Sequence, residues 1–205
     1  MSPPLEEVER RLPTLALIDD GELRHAVAQI SADAPEYFWH VAASSSEYHH
    51  PTCRGHRGLW LHTLMLSTVI ERIVPSLVKQ TDVAFDEDDA DLAHAAAILH
   101  DQRKNGPAEA SHRSSTQDHD LAMARVVRAA PVEYEPRARL DRIADAIEAH
   151  MGPWYEGPEP SDPLGHLVHT ADLIASTGTI QPGVFGPLPS EFAAHDNIHV
   201  IVRGP

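Results

Sequence analysis

Lysine is almost missing from this chain. Of 205 residues only Lys79 and Lys104 are lysines, and Lys plus Arg total 16 against 31 Asp plus Glu, a net charge of −15. A surface of that sign repels phosphate backbones and anionic headgroups, so neither duplex nucleic acid nor a membrane is expected as a partner. Cysteine is reduced to Cys53 alone, which excludes an internal disulfide framework and fits a reducing, cytoplasmic compartment. No apolar run reaches 18 residues, and the first thirty carry prolines and acids instead of a signal-peptide core. The length suits one domain with short extensions, large enough to bury its own core. Acid-rich, lysine-poor composition has two ready sources, a salt-rich host or a GC-rich genome.

What the chain has in plenty is histidine: 15 residues. Their placement depends on the helices. Residues 1–18, rich in Pro and Glu, are expected to form a loose arm. Leu23, Val27 and Ile30 predict a short helix over 19–31. The irregular stretch 34–58, with SSSEYHHP and CRGHRG, is long for a connector and polar enough to contact a ligand. From Leu59 the pattern turns helical, with Leu59, His62, Leu66, Val69 and Ile73 along one face and a stop before Pro75. A second helix is expected over 88–100 and a polar loop over 102–115. A third runs over 116–130, stopped by Pro131, and a fourth from Pro136 to His150, stopped by Gly152-Pro153. Asp162-Pro163 is an N-cap followed by proline at the first helical position, opening a fifth helix to about Ser176. The Gly- and Pro-rich tail ends in IHVIV, read as a short strand. The whole reads as an all-α bundle with irregular ends.

On these helices His62 lies mid-helix on an apolar face, and His100-Asp101 closes an Ala-rich helix. His119 opens the third, His150 closes the fourth, and Asp172 lies within the fifth. Singly, each has an ordinary role: a hydrogen-bonded core histidine, a helix cap, a partner for an arginine. As a set they place polar, metal-competent groups beside apolar stripes on five helices. Burial there costs several kcal/mol per group unless it is paired or ligated, and bundle cores commonly host metal sites built this way.

The ordered set, with its local words GLWLHTLMLS, AAAILHDQRKNG, QDHDLAMARVV, AIEAHMGPW and GHLVHTADLIAS, resembles the HD-domain metal-dependent phosphohydrolase superfamily. It most resembles the branch containing bacterial HD-type exoribonucleases and small viral or archaeal HD proteins, and the lead-in YFWHVAASSSEYHHP is similar to that of the small-protein group. The chain departs in having Arg103 where a small residue usually precedes the lysine. It also has His150-Met151 where the exoribonuclease branch often pairs histidines. The resemblance implies an HD-type helical bundle over residues 55–177, between an N-terminal arm, short helix and loop (1–54) and a Gly/Pro-rich C-terminal extension (178–205). It implies one ion on His62, His100, Asp101 and Asp172, and a second, bridged by Asp101, on His119 and His150. The donor set suits divalent Mn, Fe, Co, Ni or Zn.

It further implies a phosphohydrolase acting on a nucleotide or other small phosphorylated substrate, a phosphodiester included, through a metal-activated water. Asp101 and Lys104 would be catalytic. Lys104 would bend back over the metals to face the scissile phosphate. Arg103 and Arg113 on the loop after the doublet, and Arg54, Arg57, His50 and His56 on the opposite lip, would contact substrate. Trp154-Tyr155 would be the stacking candidate, and His169 a packing or supporting residue. A mixed-valent di-iron oxygenase of the same superfamily and a metal-binding regulatory module without catalysis are the alternatives. A homodimer is compatible with the reading.

Overall fold

The computed structural model describes residues 3–44, 48–80, 84–107, 115–154, 157–178, 183–185, 190 and 200–201. Among the described residues there are seven α-helices: α1 (Leu5–Arg11), α2 (Gly21–Ala32), α3 (Gly58–Leu77), α4 (Glu87–Leu99), α5 (His119–Ala129), α6 (Arg137–Glu148) and α7 (Pro163–Ser176). A two-residue parallel pair, β1 (Val184–Phe185) with β2 (Val200–Ile201), is the only extended pairing among them. The fold is all-α.

α3 is the axis of the bundle. Every residue from Gly58 to Ile70 is buried, so the single apolar face expected from the sequence is too narrow: a helix apolar all round goes to the centre. It runs through Pro75 to Leu77 instead of stopping before it, because Pro75 sits in the exposed last turn, where one lost intrahelical bond costs least. α4 packs beside α3 and is buried throughout its second half. Its alanines at 93, 95, 96 and 97 let the helices approach closely. Asp86 starts α4 with a reciprocal capping box: its carboxylate accepts from Asp89 N, and Asp89 accepts in return from Asp86 N. α5 and α6 form an antiparallel pair, and α7 closes the bundle against α3, α4 and α6. The Asp162-Pro163 start holds as read, with Asp162 Oδ1 accepting from Gly165 N at 2.8 Å.

Residues 3–18 do not form the loose arm expected. Val8, Leu12, Leu15, Leu17 and Ile18 are buried to 2 % exposure or less. They lie on α1, on the 3₁₀ turn Pro13–Leu17 or, as Leu12 and Ile18, just after each, and the 3₁₀ turn packs against α3 and α4. Leu12, fully buried, follows Val8 at helical spacing, and Trp60 of α3 donates its indole N–H to Arg11 O at 2.9 Å. The segment covers one side of the core, which is why it is ordered.

Candidate metal centre and its cavity

The six residues picked from the sequence converge. Asp101 is at the centre, 1 % exposed, with one carboxylate oxygen turned to each side. Its Oδ2 is 3.5 Å from His100 Nε2 and 4.0 Å from His62 Nε2. Its Oδ1 is 3.4 Å from His119 Nε2 and 4.0 Å from His150 Nε2. Asp172 Oδ1 is 2.9 Å from His62 Nε2. The rings of His62 and His100, His100 and His150, and His119 and His150 meet edge to face.

Helix ends do the positioning. His100 donates Nδ1–H to Ala97 O (2.8 Å), His119 to Thr116 O (2.9 Å) and His150 to Ile147 O (2.6 Å). In each case the acceptor lies three residues earlier; for His100 and His150 it is a last-turn carbonyl of the preceding helix, Ile147 O also accepting from His150 N at 3.3 Å. Because a carbonyl can only accept, Nδ1 carries the proton and Nε2 points its lone pair inward. This is the outer arrangement that fixes the tautomer of a metal-binding imidazole. His169 adds a further support, donating Nδ1–H to His150 O at 2.7 Å. Gly152, at φ +57°, turns the chain just after His150. A Cβ there would fall 2.5 Å from the His169 ring, so backbone handedness and space both require glycine.

The inward atoms have no hydrogen-bond partners among the described residues: His62 Nε2, His100 Nε2, Asp101 Oδ1, His119 Nε2 and Asp172 Oδ1 are buried and unmatched. The close approach of His62 and Asp172 is not an aligned hydrogen bond. Leaving five polar atoms buried and facing one another is costly, and a shared divalent cation removes that cost. Donor atoms of His62, His100 and Asp172 lie within 4.8 Å of one another, as do those of His100, Asp101 and His150. The donor set therefore fits a metal. Burial opposes ionisation of Asp101, but Lys104, His100 and His119 hold its carboxyl well below the usual range. Burial, then His100, pushes His150 down to about 3.

Lys104 turns inward onto the cluster. It is 8 % exposed, and its ammonium donates to Asp101 Oδ2 at 2.6 Å. The turn that carries it is clamped from the N-terminal side. Gln102 donates to Ser31 Oγ at 2.9 Å, and Tyr37 donates its hydroxyl to Gly106 O at 2.6 Å while accepting from Asn105 N at 3.2 Å. Above the cluster opens a cavity of about 890 Å³. Its lining combines the polar groups of Lys104, His119, His150 and Asp172 with the apolar side chains of Val41, Ala42, Ala43, Met151 and Leu173, with Tyr48 also present.

The expected substrate contacts fare differently. Arg103 donates to Asp33 O at 3.0 Å on the exposed side of its turn, because that turn is clamped with the lysine inward. His56 is exposed and stacks on His40. The His50 ring accepts from Thr52 N at 3.2 Å and caps the 3₁₀ turn Pro51–Cys53. Arg54 donates to His49 O at 2.8 Å. Arg57 takes a left-handed conformation (φ 65°) just before α3. None of these five lines the cavity. Arg113, Tyr155 and the side chain of Trp154 lie outside the described residues. Cys53 is fully buried, and its thiol is pushed up to about 12 by burial, so it is a core residue.

His49 was not singled out by the sequence. Its Nε2 is 3.2 Å from Lys104 Nζ, its ring meets His62 at 5.0 Å, and it lines the cavity. Burial first, then the Lys104 charge, pushes it down to about 2.

A family model for the HD domain matches residues 59–177. Searches of curated proteins and of solved structures return no match. The matched stretch is more than half of the chain and holds all six converging histidines and aspartates, so the chain belongs to the HD-domain metal-dependent phosphohydrolase superfamily.

Proposed function

We propose that this protein is a metal-dependent phosphohydrolase acting on a nucleotide or other small phosphodiester or phosphomonoester. The observation that carries the reading is the convergence of buried, unpartnered imidazole and carboxylate atoms on Asp101, beneath a cavity that also receives the Lys104 ammonium. His62, His100, Asp101 and Asp172 would hold one ion, and Asp101, His119 and His150 a second. Bound divalent ions of this kind supply a nucleophile by acidifying water at neutral pH and neutralise charge on phosphoryl oxygens.

The rest falls to the chain's own groups. Lys104, fixed by Asp101 and by its clamped turn, presents positive charge to the equatorial oxygens of a phosphate seated at the cavity floor, where charge grows during in-line attack. The apolar lining residues suit the uncharged part of the substrate, and about 890 Å³ accommodates a nucleotide-sized molecule. The deep placement of the cluster excludes bulk water and keeps the Lys104–Asp101 pair strong. The test is a panel of nucleoside mono- and triphosphates, cyclic nucleotides, dinucleotides and bis-p-nitrophenyl phosphate, assayed with Mn²⁺. The expected result is chelator-sensitive hydrolysis of at least one class, abolished in Asp101→Ala. A folded, metal-loaded protein inert toward every member would overturn the reading.

A further inference from the structure

We propose that His49, from outside the matched HD domain, is an additional ligand to the ion held on the His62 side of Asp101. The inference rests on the metal-site reading above. Donor atoms of His49, His62 and Asp101 all lie within 4.8 Å of one another. A positive charge already sits where they converge: the Lys104 ammonium is 3.2 Å from His49 Nε2 and 2.6 Å from Asp101 Oδ2. The lysine does not account for the whole ring, because His49 Nδ1 is also buried and has no hydrogen-bond partner among the described residues. A buried imidazole with one nitrogen unmatched is a costly placement for a merely structural residue.

The segment around His49 is built to hold it there. Arg54 donates to the His49 carbonyl at 2.8 Å, which fixes the backbone from which the ring projects. The next ring, His50, is spent on capping the Pro51–Cys53 turn. That turn is tied back by Ala43 N donating to Cys53 O at 2.9 Å, and Gly58 lets α3 start hard against it, since a Cβ at 58 would fall 1.9 Å from Cys53 O. Leu59 N donates to Val41 O at 3.0 Å, securing the other end of the loop to the same helix that carries His62. His49 and His62 are thus presented from one rigid unit. A third imidazole beside His62 and His100 shifts that half of the site toward nitrogen donors, which favours iron, cobalt, nickel or zinc over magnesium.

The experiment is a Co²⁺ titration of the full chain and of His49→Ala, read by bound metal after dialysis and by the visible spectrum. His49→Ala should bind the ion on the His62 side at least about tenfold more weakly, with a changed spectrum. Identical affinity and spectrum with slowed hydrolysis would mean that His49 only positions Lys104, and would overturn the proposal. Should His49→Ala fail to fold, the Co²⁺-loaded wild type decides by NMR. Metal-shifted exchangeable imidazole N–H signals should number five, from His49, His62, His100, His119 and His150; four would overturn it. A wild type that takes up no Co²⁺ at all would sink the phosphohydrolase reading itself, and this inference with it.

Discussion

Lys104 shows how much one side chain can be asked to do in a lysine-poor protein. It pairs with Asp101 and lines the cavity, and on the proposed reading it would meet charge that develops on a phosphate. Such groups are worth roughly 3 kcal/mol, or about a hundredfold in rate. A cation whose role is confined to the end of a helix contributes under about 1 kcal/mol and no rate. Lys104→Met keeps the length and removes the charge. Its kcat should fall about a hundredfold while metal content at saturation holds; unchanged kinetics would return Lys104 to a purely structural role. His49 and His50 mark the limit of sequence reading at this scale. In a helix or strand, periodicity says which way a side chain faces. In an irregular loop two successive histidines are indistinguishable, and here the one that was picked caps a turn while its neighbour reaches the site.

At the scale of elements, the HD helices were legible because punctuation and chemistry coincide. Asp162-Pro163 opens α7, the Ala-rich run ends at the His100-Asp101 doublet, and Gly152 closes the turn after His150. The cluster lies mainly at helix ends, where carbonyls three residues back orient the imidazoles. The six positions were legible as an ordered set with a family resemblance; the carbonyl rule itself is visible only in the fold. Arg103 could not be read in the same way, since its direction depends on how α2 and Tyr37 grip the turn after Asp101. Gly152→Ala tests whether helix ends set the site. The left-handed backbone alone costs an alanine about 1–2 kcal/mol, and the added Cβ pushes on His169, which holds the His150 carbonyl. We expect a lower Tm together with weaker metal binding. A variant with reduced Tm but wild-type metal affinity would show that His150 needs no such support.

For the molecule as a whole, the N-terminal segment is the part that sequence pattern missed. The apolar spacing of Val8, Leu12 and Leu15 was present, but seven residues of helix flanked by Pro3, Pro4 and Pro13 carry too weak a signal to set against a Pro- and Glu-rich composition. In the fold this segment packs against α2, α3 and α4, while Ser31 of α2, Asp33 and Tyr37 hold the turn bearing Lys104, so residues before the HD core contribute both to its packing and to the site.

The buried histidines also set a pH dependence for the whole chain. Burial, then His100, holds His150 down to about 3, and burial, then Lys104, holds His49 down to about 2, from 6.5 when unfolded. Between those values the unfolded chain binds protons that the native state refuses, so stability rises with pH there and is lost on acidification. His100 opposes this in part: burial would lower it, but the Asp101 and Asp172 charges raise it. Chelator-stripped protein should therefore melt at a lower temperature at pH 5 than at pH 7. The metal-loaded form should show a steeper loss, because acid also releases the ions. A higher Tm at pH 5 would mean that the two depressed histidines do not govern the acid limb.

The most direct test of the central claim is the metal content of the purified full chain, measured by inductively coupled plasma mass spectrometry beside Asp101→Ala. Asp101 faces both halves of the cluster, so its loss should empty both. The account predicts two divalent transition-metal ions per wild-type chain after equilibration and removal of free metal, and close to none in a folded Asp101→Ala. Equal metal in the two proteins, or none in the wild type, would contradict it.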